Sequence, residues 1–116
     1  MTLPKIPSTI KIGHATYTVE MNRDALEASD SEGLSTGNEL KIILRDDRPH
    51  AILAETLLHE VMHQCLYMAG LDCTRLGEDG MVGRDAEEVM IRAMAGTLRG
   101  VFLDNPGLLP WLLHET

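Results

Sequence analysis

Leu57-Leu58-His59-Glu60-Val61-Met62-His63 is the stretch whose reading decides what this chain folds into. It lies within a segment, about Pro49 to Ala69, whose apolar residues recur with helical spacing. On a helix, residues four apart stand one above the other on the same face. His59 and His63 therefore present two imidazoles side by side, with Glu60 next to the first. At about 100° per residue, Leu53, Leu57, Leu58, Val61, Cys65 and Met68 fall on one side. Both histidines fall nearly opposite, with Glu55 and Thr56 close to them. A histidine serving the core would stand on the apolar stripe, bonded to a neighbouring carbonyl; these two stand off it. Two nitrogen ligands, an open position and a carboxylate able to take a proton from water are what a hydrolytic zinc ion requires.

The flanks support the helix. In Asp46-Asp47-Arg48-Pro49 an aspartate is expected to cap the first amides, and Pro49 suits a first helical turn. Gly70 is placed as a terminating glycine. Cys65, on the apolar side, reads as a small buried hydrophobe rather than a ligand. Cys73 falls in the following loop.

Upstream, Met1 to Pro7 reads as a frayed lead. Thr9 to Met21 reads as a β-hairpin: Ile10 and Ile12 alternate with Lys11, Gly13-His14 makes a turn, and Tyr17 and Val19 alternate with Thr16, Thr18 and Glu20. Asn22 to Asn38 is polar and acidic, an irregular connection with room for one helical turn or one short strand. Glu39 to Arg45 is the clearest strand, with Leu40, Ile42 and Leu44 on one face.

Downstream, Leu71 to Arg84 carries Gly77, Gly80 and Gly83 and reads as a long surface connection. A second helix is expected from about Asp85 to Leu103. Asp85-Ala86-Glu87-Glu88 opens it in capping-box form, and Ile91, Met94, Leu98, Val101 and Phe102 form its stripe. Asp104-Asn105-Pro106-Gly107 breaks it, and Leu108 to His114 makes a short amphipathic tail. The expected fold class is α+β: a small antiparallel or mixed sheet, the hairpin plus strand 39–45, packed on two long helices (about 49–69 and 85–103) and a short C-terminal helical tail.

The chain has 116 residues, which is one domain. Aromatic residues make up only 3%, so aliphatic side chains and seven methionines must fill the core. A formal net charge of −8 argues against nonspecific binding to nucleic acid or to anionic membranes. No apolar run approaches the roughly 18 residues of a membrane span. Met1 to Ile12 lacks a signal-peptide pattern, so a cytoplasmic location is expected.

A catalytic zinc takes three protein ligands. Position 69 is Ala, so a third histidine six residues after His63 is missing, and His114 is poorly placed near the terminus. The acidic pair Glu87-Glu88 opens the next helix, from which a carboxylate could be aimed at the metal.

Leu-Leu-His-Glu-Val-Met-His, the Gly-terminated helix, the acidic start of the next helix and the closing Asp-Asn-Pro together resemble the small zincin-like metallopeptidases of phages and prophages. These are distant relatives of the ImmA/IrrE-type peptidases and of the thermolysin-like gluzincins. The resemblance covers roughly Ile10 to Leu112, and its specific part is the His-Glu-x-x-His segment. It implies one Zn2+ held by His59, His63 and a helix-borne glutamate, with Glu60 as general base for hydrolysis of a peptide or protein substrate. The family pattern, counted back from Asp104-Asn105-Pro106, favours Glu88 as third ligand, whereas helical periodicity brings Glu87 nearer the apolar stripe. His50, Tyr67 and Arg92 are candidates for a second oxyanion donor. By the same resemblance, strand 40–45 is expected at a sheet edge as the substrate platform. The alternative is a non-catalytic, zinc-stabilised binding or phage-associated module on the same scaffold.

Overall fold

Alternation of apolar residues builds the first two strands. Ile10 and Ile12 of β1 (Thr9–Ile12) and Ala15 and Tyr17 of β2 (Ala15–Met21) are buried, while their neighbours Lys11, Thr16 and Thr18 face solvent. The antiparallel register sets Ile10 against Tyr17 and Ile12 against Ala15, so the buried residues meet across the pair. Gly13 supplies the left-handed residue of the turn, with φ of 62°.

The computed structural model describes residues 5–70 and 83–114; within the helix beginning at 83, the side chains at 83–89, 91–92 and 95–96 are outside that description. The fold is α+β, with a four-stranded mixed sheet and helices. After β2 come α1 (Arg23–Ala28), β3 (Gly33–Thr36) and β4 (Lys41–Leu44). Then follow α2 (His50–Met68), α3 (Gly83–Asp104) and α4 (Leu108–Leu112). The strand order is β1-β2-β4-β3. β2 and β4 run parallel, and β3 returns antiparallel to β4, setting Leu34 against Ile43 and Ser35 against Ile42.

This topology changes three expectations. The polar connection 22–38 holds both a helical turn and a strand. Asn22 caps α1 by accepting from the Ala25 amide, and Leu26 is the one side chain that α1 buries completely. Strand β4, expected at an edge, lies inside the sheet with β2 on one side and β3 on the other, so its backbone is not available to a peptide. The edge nearest α2 is β3. Within the expected frayed lead, Ile6 packs against the core, and just after it the Ser8 carbonyl accepts from the Val19 amide at 2.9 Å; residues 1–4 of that expectation lie outside the described residues.

Helix α2 crosses one face of the sheet. Ala54, Leu57, Val61 and Cys65 are buried against Ile10, Ile12, Tyr17, Ile42 and Leu44, and Val101, Leu108 and Trp111 close the cluster from α3 and α4. Complete burial of an aliphatic side chain such as Leu57 contributes roughly 1.5–3 kcal/mol. The start of α2 differs from expectation. Pro49 is the N-cap, and no side chain caps the helix. Asp47 is instead engaged by Arg45, which donates to both its carboxylate oxygens at 2.9 Å. Gly70, with φ of 73°, ends the helix as expected. No helix among the described residues is long and apolar enough to cross a membrane.

Candidate metal and hydrolytic site

The polar face of α2 that faces away from the core lies along β3. The strand's small residues set how close it comes. Gly33, Ser35 and Gly37 point toward the helix, at the two-residue period of a strand. A Cβ on Gly33 would lie 2.5 Å from Thr56 Cγ2 and 3.4 Å from Glu60 Cγ; a Cβ on Gly37 would strike the Tyr67 ring. Strand and helix are therefore in contact from Thr56 to Tyr67, with Glu60 between.

His59 and His63 stand on this side, both exposed. Their Nε2 atoms are 3.0 Å apart, and the ring planes are inclined at 80°. Two imidazoles converging on one point form a chelating pair. A zinc ion at 2.0–2.1 Å from each nitrogen in tetrahedral geometry would hold them at about 3.3 Å, a few tenths of an ångström wider than the observed gap. The donor set at these two positions fits zinc. No third His, Cys, Asp or Glu joins the pair among the described residues. The side chains of Glu87 and Glu88 lie outside those residues, although both positions fall in α3, which packs against α2.

Glu60 is 7% exposed and belongs to a relay that was not read from the sequence. Tyr17 Oη donates to Gln64 Oε1 at 2.7 Å. Gln64 Nε2 donates to Ser35 Oγ at 2.9 Å, and Ser35 Oγ donates to Glu60 Oε1 at 2.6 Å. Every proton points the same way, for a chemical reason. An ionised carboxylate only accepts, so Ser35 spends its single proton on Glu60. Ser35 must then accept from the Gln64 amide, which turns the Gln64 carbonyl toward the Tyr17 hydroxyl. Burial, together with Tyr67 and Cys65 nearby, pushes the Tyr17 hydroxyl up to about 12, so this donor keeps its proton near neutral pH. A sequence signal did exist: Gln64 is four residues from Glu60 on the same helix, and Gly33-x-Ser35-x-Gly37 is a small-residue stripe at strand period.

Two depressions meet at Glu60 and Gly33. One, of about 610 Å³, extends past His59, Thr56 and Glu55 toward Glu32; the other, of about 400 Å³, extends past His63 and Ser35 to Tyr67. A larger hollow of about 840 Å³ lies at the C-terminal end of α2, lined by His14, Asn38 and Tyr67 but by neither histidine of the pair. Chemistry, not volume, makes the first two the candidate site.

The three oxyanion candidates separate. Tyr67, 42% exposed, borders the groove that holds Glu60 and His63, and its hydroxyl is 3.4 Å from Asn38 Oδ1. His50 is remote, at the first residue of α2, where its Nε2 donates to the Trp111 carbonyl at 2.8 Å. The Arg92 side chain lies outside the described residues, as do Cys73 and the connection that contains it. Burial pushes the Cys65 thiol up to about 11, which disfavours a thiolate ligand there. His114 stacks edge-on with His50, at 5.7 Å between ring centroids, and does not join the His59–His63 pair.

One ion-pair group stands at the Glu32 end of the groove. Arg48 donates from Nε and Nη2 to the two oxygens of Glu32, at 3.0 and 3.2 Å, and from Nη1 to Asp47 at 3.3 Å. Arg45, only 8% exposed, joins Asp47 to Glu27 of α1. These contacts tie the start of β3 and the end of α1 to the segment that leads into α2. The Arg45 guanidinium holds the Asp47 carboxyl down at about 2.

No protein-family model matches the chain, and no curated protein or solved structure matches it.

Proposed function

We propose that this chain is a zinc-dependent metallopeptidase acting on a peptide or protein substrate, in the cytoplasm of the cell that makes it or hosts it. The observation that carries the proposal is the convergence of His59 and His63 Nε2 at 3.0 Å on an exposed face, with Glu60 beside them under an edge strand. His59 and His63 would hold the ion, and a glutamate at the start of α3 would complete the set, Glu88 in preference to Glu87. When bound, Zn2+ supplies Lewis acidity to a water molecule and to the carbonyl under attack. Glu60 Oε1 is occupied by Ser35, so Oε2 is the oxygen that takes the proton of the attacking water and returns it to the leaving amine. An extended peptide would pair with β3, whose outer backbone has no partner among the described residues, and would pass both depressions.

The test is Glu60→Gln in zinc-loaded protein. The expected result is unchanged zinc content and fold, with peptide hydrolysis reduced about 10²–10⁴-fold. His59→Ala or His63→Ala should abolish zinc binding, and Glu88→Ala should weaken it more than Glu87→Ala. Wild-type protein that takes up no stoichiometric zinc would sink the reading. Zinc binding with no hydrolysis by the wild type would leave the non-catalytic module.

A further inference from the structure

We infer that Ser35 is the positioning residue of Glu60, and that Gln64 and Tyr17 set the direction in which it acts. The inference rests on the metallopeptidase reading for its catalytic consequence alone; its structural content does not depend on turnover.

Glu60 is attached to α2 through a side chain with three rotatable bonds. On an exposed helix face such a carboxylate samples several rotamers. Here Glu60 is 7% exposed, Gly33 admits its Cγ beneath β3, and one oxygen is held by a 2.6 Å bond from Ser35. A charge-assisted bond of that length is strong and directional. The remaining oxygen is thereby left as the only one free to exchange a proton.

Ser35 alone would not achieve this, because a serine hydroxyl rotates freely. Its lone pair is claimed by Gln64 Nε2, which leaves its proton for Glu60. The Gln64 amide is in turn kept from flipping by Tyr17, a completely buried donor. The relay therefore passes from the rigid core of the sheet, through the helix, to the edge strand and back to the carboxylate. Its last donor sits on the strand with the open edge. A ligand that pairs with β3 thus meets the same strand that holds Glu60 in place.

The experiment uses the full chain with Ser35→Ala, Ser35→Thr and Tyr17→Phe. The first readout is the set of three-bond NMR couplings along the Glu60 side chain. Wild type and Ser35→Thr are expected to show a single rotamer, and Ser35→Ala an averaged set. The second is hydrolysis of a quenched-fluorescent peptide mixture by zinc-loaded protein. Ser35→Ala should lower kcat at least tenfold, with KM within twofold and zinc content unchanged, and Ser35→Thr should recover most of the loss. Tyr17→Phe, which preserves the core volume, should show partial rotamer averaging and a two- to fivefold loss; it decides the matter if Ser35→Ala fails to fold. A single Glu60 rotamer in Ser35→Ala overturns the inference, and so does a change in KM with kcat preserved. If the wild type hydrolyses nothing, the peptidase reading fails, while the coupling measurement still decides the role of Ser35.

Discussion

The two edges of the sheet are treated in opposite ways. At the β1 edge, the side-chain amide of Asn105 pairs with the backbone as a neighbouring strand would. Its Oδ1 accepts from the Lys11 amide at 3.0 Å, and its Nδ2 donates to the Lys11 carbonyl at 2.9 Å and to the Val101 carbonyl at 2.8 Å. The edge is closed by one residue at the end of α3. At the β3 edge no backbone partner is present among the described residues, and α2 carries His59, Glu60 and His63 along it. An unpaired edge invites association with other chains, and proteins ordinarily blunt it. Among the described residues, the blunted edge is the one away from the two histidines, and the open edge is the one beside Glu60. The difference leaves β3 as the edge on which the proposed pairing with a peptide would take place.

The comparison can be broken first at β3. Gly33→Ala puts a methyl group against Thr56 Cγ2 on a stiff, β-branched side chain. The helix or strand must shift, at a cost of about 1–3 kcal/mol in denaturant unfolding, and Glu60 should move with it. Gly37→Ala should cost less, because the neighbour it meets is the exposed Tyr67 ring, which can swing away. Gly100→Ala, within α3 and facing open space, is the control and should stabilise by about 0.5–1 kcal/mol.

The β1 edge offers the next largest effect. Asn105→Ala removes three partly exposed hydrogen bonds and should destabilise by about 1–2 kcal/mol. It also unblocks the edge, so self-association should rise with concentration in analytical ultracentrifugation. Unchanged stability together with unchanged monomer would show that Asn105 does not close the edge.

The smallest expected effect concerns the tether at the start of β3. Asp47 has its carboxyl lowered from an ordinary 3.8 to about 2, chiefly by the hydrogen bonds from Arg45. A depressed carboxylate favours the folded state above its unfolded value. That contribution is complete above about pH 4 and disappears as the pH falls through about 2. The Glu32 carboxyl is lowered in the same direction by its hydrogen bonds from Arg48. Unfolding midpoints measured between pH 5 and 2 should therefore fall less steeply in Asp47→Asn than in the wild type. An identical slope would remove Asp47 from the tether.

What is legible in the sequence is local. The hairpin followed from alternation between Ile10 and Val19, with glycine at the turn. Helix α2 followed from its stripe and from Gly70, and the helix break followed from Asn105-Pro106-Gly107. The facing of His59 and His63 away from the apolar stripe followed from helical angles alone. Other features depend on residues distant in the chain. Gly33-Leu34-Ser35-Thr36 has little strand character of its own and becomes β3 by pairing with β4. Asp47 has the sequence position of a helix cap, but the buried Arg45 offers it two charge-assisted bonds where a cap offers a backbone amide. Asn105 looked like a helix breaker and is also a substitute strand.

By itself the amino-acid sequence determined the hairpin, the strand before α2, helix α2 and the side of α2 on which the two imidazoles stand, because side-chain direction along a helix or strand repeats with the backbone. Only the tertiary structure decided which strand is the open edge, and that Ser35, Gln64 and Tyr17 take hold of Glu60. Pairing order and hydrogen-bond direction arise between segments that meet only in the folded chain, where each donor must find the one acceptor left within its reach.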